Sequence, residues 1–180
     1  MHALKRPQVD DTQVVIKPLT RNDAEAFRAL RLKAIQDSPA ALWPTYEEEA
    51  RATLEAVIER IRKTDHQIVF GAFNDLELIG VTGLRREALA QVAHRAMLWG
   101  VFVDVAWRGR GISRRLLETA IAHARETHVL QIHLCVHTEN LRAEGLYRSV
   151  GFEENGLEAR AIRVGNRFYD ERRMMLRLDD

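Results

Sequence analysis

The sequence predicts one mixed α/β domain: a mostly antiparallel sheet of about seven strands, flanking helices and a single parallel strand-helix-strand crossover. Three observations lead there. The chain has 180 residues, and at roughly 150 per domain this suits one unit with a sizeable core. Hydrophobic residues make up 46% and charged residues 29%, a globular balance that excludes wholesale disorder and collagen-like repeats. The apolar patterns run β, α, α, β, β, β, α, β, α, β, β, with no internal repeat or linker. We therefore expect an extension at 1–12 and one domain over 13–178.

Each element has its own signal. Val14-Val15-Ile16 before Pro18 reads as a short strand. Thr20-Arg21-Asn22-Asp23 is a cap with an acidic third position, so a helix begins near Asn22 and carries Phe27, Leu30 and Ala34 on one face. Ser38-Pro39 stops it. Thr45-Tyr46-Glu47-Glu48 is a capping box, and Ala50, Leu54, Val57, Ile58 and Ile61 predict one continuous second helix after it. The connection from Pro39 to Pro44 is too apolar for a solvated linker and should fold over something.

Ile68 to Phe73 and Leu76 to Leu84 are β-rich runs around Asn74-Asp75, a hairpin signal, and Met97 to Val103 is the next strand. Ile112, Leu116, Leu117, Ala120, Ile121 and Ala124 form a helical stripe, and Val129 to Val136 follows as a strand. Asn140 to Val150 reads as a helix ending at Gly151, and two last strands flank Gly165-Asn166.

The 27 Lys and Arg against 26 Asp and Glu leave a net charge of +1, so no global field recommends nucleic acid or an anionic membrane as partner. Cys135 is the one cysteine, which excludes an internal disulfide and any multi-thiolate metal site. The start Met1 to Pro7 has no apolar core, and the longest apolar run, Ala96 to Val103, falls far short of a membrane span. The expectation is a cytoplasmic protein, neither exported nor anchored.

The sharpest motif is Arg108-Gly109-Arg110-Gly111-Ile112-Ser113, where a strand ends and a helix begins. Glycines there let successive N–H groups curl toward one point beside the positive helix end, a nest for phosphate. Arg108 and Arg110 bracket it with planar forks suited to phosphate oxygens, so a polyphosphate fits better than a lone carboxylate. A Walker loop would need Gly-Lys-Ser/Thr at another spacing, and a dinucleotide fingerprint would need glycine where Arg114 stands. Asn140, Ala143 and Tyr147 recur along one face of the next helix, at the carboxyl end of the neighbouring strand. The two motifs converge.

Together these residues resemble the GNAT superfamily of N-acetyltransferases. The family's pyrophosphate motif is matched by Arg108 to Ser113, and its later motif by Asn140, Ala143, Leu146-Tyr147 and Gly151-Phe152. The likeness extends from His94 through Val103 and on to Tyr169-Asp170-Glu171 with Met174. It implies a GNAT-like sheet whose two parallel strands splay apart into a CoA cleft. The co-substrate would be acetyl-CoA, with no metal. Its pantetheine arm would pair with the peptide groups of Val101, Phe102 and Val103, where Gly100 fits a bulge, and its phosphates would sit on Arg108, Gly109, Arg110, Gly111, Ile112, Ser113 and Arg114. Asn140, Ala143 and Tyr147 would line the same cleft.

The resemblance also makes Tyr147 the general acid at the cofactor sulfur, a neutral phenol at physiological pH. N–H groups near Val101 would hold the acetyl carbonyl. The implied reaction is direct attack by a primary amine of a small molecule in a ternary complex. A protein or peptide amino group, or a non-catalytic acyl-CoA-binding sensor, are the alternatives. A homodimer is left open.

For the general base the sequence offers Glu47, Glu48, Glu49, His94, Asp170 and Glu171 without choosing; the Glu47 to Glu49 run reads first as helix capping. Acceptor choice is expected in Pro39 to Glu49 and in the hairpin around Gly165-Asn166. His133, Cys135 and His137 share a strand face, but neighbours on one strand are too nearly parallel to converge on a metal, and Cys135 reads as buried packing. Trp43, Trp99 and Trp107 read as core or rim residues.

Overall fold

The computed structural model describes residues 14–179. The extension expected at 1–12 lies outside them. Seven strands, β1 (Val14–Pro18), β2 (Gln67–Asn74), β3 (Glu77–Arg86), β4 (Arg95–Val103), β5 (Gln131–His137), β6 (Glu153–Val164) and β7 (Arg167–Arg177), form one sheet in the order β1-β2-β3-β4-β5-β7-β6. Every neighbouring pair is antiparallel except β4 and β5. That parallel pair needs a crossover, supplied by α4 (Ile112–Glu126), whose six expected apolar residues are all buried.

Side-chain alternation divides the core between the two sheet faces. On β2, Val69 and Phe73 join a cluster with Phe27 and Leu30 of α1 (Ala24–Asp37), whereas Ile68, Phe70 and Ala72 join the cluster holding Leu116, Leu117 and Ala120 of α4. The sheet is thus covered on both faces. Among the described residues no helix is long and apolar enough to cross a membrane.

The single helix expected after Thr45 is two helices, α2 (Tyr46–Arg51) and α3 (Leu54–Ile61). The predicted capping box is present: Thr45 N donates to Glu48 Oε2 at 2.8 Å and Glu48 N to Thr45 Oγ1 at 3.2 Å. Thr53 then caps a second start by accepting from Ala56 N at 3.2 Å, and Ala52 turns extended with ψ 130°. This break rotates the apolar stripe. Ala50 is exposed, and Glu49 faces inward in its place.

Glu49 is fully buried between two arginines. Arg31 of α1 forks onto it, Nε to Oε1 at 3.1 Å and Nη2 to Oε2 at 3.3 Å, and Arg60 of α3 adds Nη1 to Oε1 at 2.7 Å. One carboxylate therefore ties α1, α2 and α3 together. Burial lowers the Arg31 pKa, and its bond to Glu49 opposes that shift. Because the charges are desolvated, removing one partner is far more damaging than the pair's net worth suggests. Glu49→Ala should lower stability by about 3–5 kcal/mol; urea unfolding monitored at the tryptophans checks this, and a loss under about 1 kcal/mol would mean that the triad is solvated in solution.

Candidate active site

The parallel pairing of β4 and β5 stops early. Arg95, Ala96 and Met97 pair with Gln131, Ile132 and His133, and beyond them the strands part. Gly100, at φ +64°, sits where β4 holds one residue more than β3: Trp99 pairs with Gly83, but Phe102 pairs with Val81. This is the expected bulge. Past it the β5-facing edge of Val101, Phe102 and Val103 carries no strand, leaving peptide groups open to an extended ligand.

A cleft of about 330 Å³ runs along that edge. Its far end is the glycine loop, with Gly109 at φ +80° and Gly111 at φ +73°, values that favour glycine. Gly111 caps α4, and Arg115 N is the first to bond back, to Gly111 O at 3.1 Å. The N–H groups of the first turn before it have no acceptor within the helix. A Cβ built on Gly109 or Gly111 meets nothing within 4 Å, so the loop borders open space where a phosphate fits.

Of the residues expected to bind the co-substrate, Val101, Phe102, Val103, Arg108, Gly109, Gly111, Ile112, Ser113, Arg114, Asn140, Ala143 and Tyr147 all line this cleft. Arg110 does not; its guanidinium stacks over the Trp107 ring at 4.8 Å. Arg108 lines the cleft but is also held in place. It donates to Asp37 Oδ2 at 2.6 Å and to Val103 O at 3.1 Å, fixing the loop to α1. Its guanidinium keeps the Asp37 carboxyl below the usual value. Arg114 donates to Ser149 Oγ at 2.7 Å, joining α4 to α5 (Leu141–Ser149).

Asn140 is a helix cap whose Oδ1 accepts from Ala143 N at 3.1 Å. Tyr147 is 8% exposed, packed edge-on to Phe152, and burial raises its pKa, so the phenol stays protonated. Sequence reasoning missed Asp37, Ser38, Leu42 and Arg142 in the cleft wall. Arg142 left one signal: a cation in the first turn of a helix opposes the dipole unless an anion is nearby.

Past Ala41 and Leu42, which also line the cleft, lies a cavity of about 300 Å³ walled by Trp43, Met97, Cys135 and Glu171. The same four residues line a third cavity of about 740 Å³ running across β4, β5, β7 and β6. Trp43 is 75% exposed and donates its indole N–H to Glu171 Oε1 at 3.5 Å, so the Pro39 to Pro44 connection folds over this second chamber. Trp107 is buried and Trp99 half-buried.

The candidate bases separate clearly. Glu47 and Glu48 are exposed, Glu49 is locked in its triad, and Asp170 Oδ1 accepts from Arg160 N at 2.7 Å. His94 holds the start of β5 through its backbone carbonyl and lines none of these cavities. Glu171 alone of the six lines the second and third cavities, 6% exposed, with burial raising its carboxyl pKa against the Trp43 hydrogen bond.

Cys135 is half-buried in the chamber wall rather than packed in the core, and burial and then Glu171 hold it as a thiol. Burial keeps the His133 and His137 imidazoles below the ordinary histidine value. Among the described residues, no group of His, Cys, Asp and Glu could hold a metal ion.

The sequence model of the acetyltransferase (GNAT) family matches residues 32–152. The chain is 34% identical over 156 residues to the N-alpha-acetyltransferase RimI of Mycobacterium tuberculosis, covering 86% of this chain and 88% of that one. It spans 41% and 39% of two longer curated relatives. The ribosomal-protein-alanine N-acetyltransferase of Brucella melitensis superposes with a TM-score of 0.80 at 27% identity, over 91% of this chain and 99% of that one. The yncA protein of Salmonella typhimurium, solved with acetyl-CoA, superposes at 0.81 and 19% identity over 93% and 95%.

The loop geometry sets an expected outcome for Gly111→Val. At φ +73° a branched side chain is strained by about 1–3 kcal/mol and projects into the phosphate space. Calorimetry should show CoA affinity falling at least tenfold in a protein that still unfolds cooperatively; unchanged affinity would place the phosphates elsewhere.

Proposed function

The chain belongs to the GNAT acetyltransferase family, and from that premise we propose that it acetylates a primary amine by direct attack within a ternary complex, with Tyr147 and Glu171 moving the protons. It is an N-acetyltransferase that uses acetyl-CoA. The observation carrying the finer reading is the bare edge of β4: one side leads to the glycine loop and the other to Glu171.

The co-substrate supplies an activated thioester. The chain's own residues bind, orient and transfer protons. The N–H groups at the start of α4 and the guanidinium of Arg142 hold phosphate, while Arg108 sets the loop's position. The free edge of Val101 to Val103 fixes the extended arm as an added strand would. Tyr147, kept protonated by burial, donates at the departing sulfur. Glu171, a nearly buried carboxylate in the acceptor chamber, takes the amine's proton. Its raised pKa strengthens it as a base provided the working pH lies above it.

Of the two acceptor classes, a small-molecule amine and the amino group of a protein or peptide, the second is better supported. The two chambers share four wall residues and continue along β5 as a groove longer than a compact amine needs. The RimI relative points the same way. An acetylation assay over matched peptides and small amines tests this; turnover of small amines alone would reverse the choice.

Tyr147→Phe keeps the ring and removes one oxygen. Single-turnover rates should fall by roughly 10²–10⁴-fold with little change in CoA affinity, and wild-type rates would leave Tyr147 a packing residue. Glu171 must be ionised to act, so kcat/KM should fall as pH drops through its raised pKa. Glu171→Gln should lower kcat and erase that acid limb; a limb that persists unchanged would assign the base to another group or to water.

A further inference from the structure

The acceptor groove carries an excess of positive charge. Three arginines, Arg95, Arg163 and Arg173, line the larger chamber, and of these Arg173 is paired with Glu158. Arg163 donates to Gly165 O and Asn166 Oδ1, neutral acceptors that leave its charge uncompensated. Arg85 lines the smaller chamber, exposed, with no ion pair among the described residues. In the same wall Arg31 and Arg60 share one carboxylate. The remaining acid is Glu171, whose single charge when ionised does not offset Arg95, Arg163 and Arg85. Such a groove repels a polycationic acceptor.

Two buried polar atoms in the same chamber lack any partner: Arg95 Nε and His133 Nε2. Arg95 and Met97 lie on one face of β4, and His133 is the residue paired with Met97, so the two orphans are close neighbours. Burial and the Arg95 charge both lower the His133 pKa, a sign that the two side chains feel each other. With no hydrogen bond holding Nε, the Arg95 side chain is able to turn its guanidinium toward a carboxylate in the chamber, the acceptor it matches best.

Distance along the sheet narrows the ligand. Arg95 is level with Gln131 on β5, and Glu171 with His137, six residues on. At about 3.3 Å per residue this is on the order of 20 Å between backbones. The long Arg95 side chain and the Glu171 carboxylate are each able to lean along the strands toward the other, which shortens the span to roughly 10 Å, the length of about three extended residues. We propose that the acceptor is a peptide amino terminus with an acidic side chain about three or four residues in, its amine at Glu171 and its carboxylate read by Arg95 and His133. This rests on the transferase reading above.

The test uses four probes with the full chain: the amidated peptides Ala-Ala-Ala-Glu, Ala-Ala-Ala-Gln and Ala-Ala-Ala-Lys, and γ-aminobutyrate as a compact amino acid. Acetyl transfer is measured, and binding is measured separately by calorimetry with CoA present. The Glu peptide should bind at least tenfold tighter than the Gln peptide and more so than the Lys peptide. Arg95→Gln should erase that preference by raising KM for the Glu peptide to that for the Gln peptide.

Arg85→Gln, at an exposed position, should reduce the preference about two- to threefold by weakening the field, and it keeps the test alive if Arg95→Gln fails to fold. Tight binding of the Glu peptide without its acetylation would sink the transferase reading and support this one. Equal binding of the Glu and Gln peptides, binding of neither, a preference that survives in a folded Arg95→Gln, or γ-aminobutyrate acetylated as well as the Glu peptide would each overturn the proposal.

Discussion

Everything functional in this molecule depends on how briefly β4 and β5 pair. Three residues on each strand are joined, ending at Met97 and His133, and the strands then separate. A parallel pair that continued would satisfy the backbone of Val101 to Val103 internally and close the cleft. The bulge at Gly100 helps to keep it open, since an additional residue bends β4 away and its φ of +64° is one that glycine accepts without strain. Unpaired backbone inside a sheet is costly unless a ligand or water completes it. The split is therefore a binding device, and α1, α4 and α5 reach it from different sides of the sheet.

The parts of the fold set by local chemistry were legible in the sequence. Asn74-Asp75 and Gly165-Asn166 marked hairpins that form, with Asp75 at φ +51° and Gly165 at φ +59° taking the left-handed conformations their types tolerate. The six-residue stripe of α4 and the Thr45 capping box also survive folding intact. The glycine loop was readable because its positive φ angles at Gly109 and Gly111 constrain residue type. The division after α2 was not readable: an apolar period continuing from Ala50 through Ile61 hides a change of axis that Thr53 makes by capping a new helix.

Long-range pairing escaped sequence reasoning for a different reason. Glu49 looks like a third capping acid, and only the approach of α1 and α3 makes it the centre of a buried triad. Arg108 has the position of a phosphate clamp, yet its strongest contact is Asp37, 71 residues away in sequence. Cys135 obeys strand alternation and would be packed away if β4 still covered it; the splay exposes it to the chamber instead. Choosing Glu171 among six acids and histidines required the same knowledge, because burial and orientation, not residue type, distinguish it.

A net charge of +1 conceals how unevenly charge is placed. Glutamates 144 and 154 are consumed on the outer surface by Arg148 and Arg172, and Glu139 by Arg167. In the larger cavities Arg163 is instead met by neutral oxygens, and Arg31 and Arg60 share one carboxylate. At the cleft end the N-terminus of α4 supplies a positive field of its own, suited to a polyanionic ligand. At the proposed acceptor end an amine would arrive as a cation in a positive field, which favours its neutral, nucleophilic form and disfavours any second positive charge. On the mechanism proposed above, the same arginines would ease loss of the amine's proton to Glu171 and also discriminate among acceptors, so catalytic and selective roles would be electrostatically inseparable in this groove.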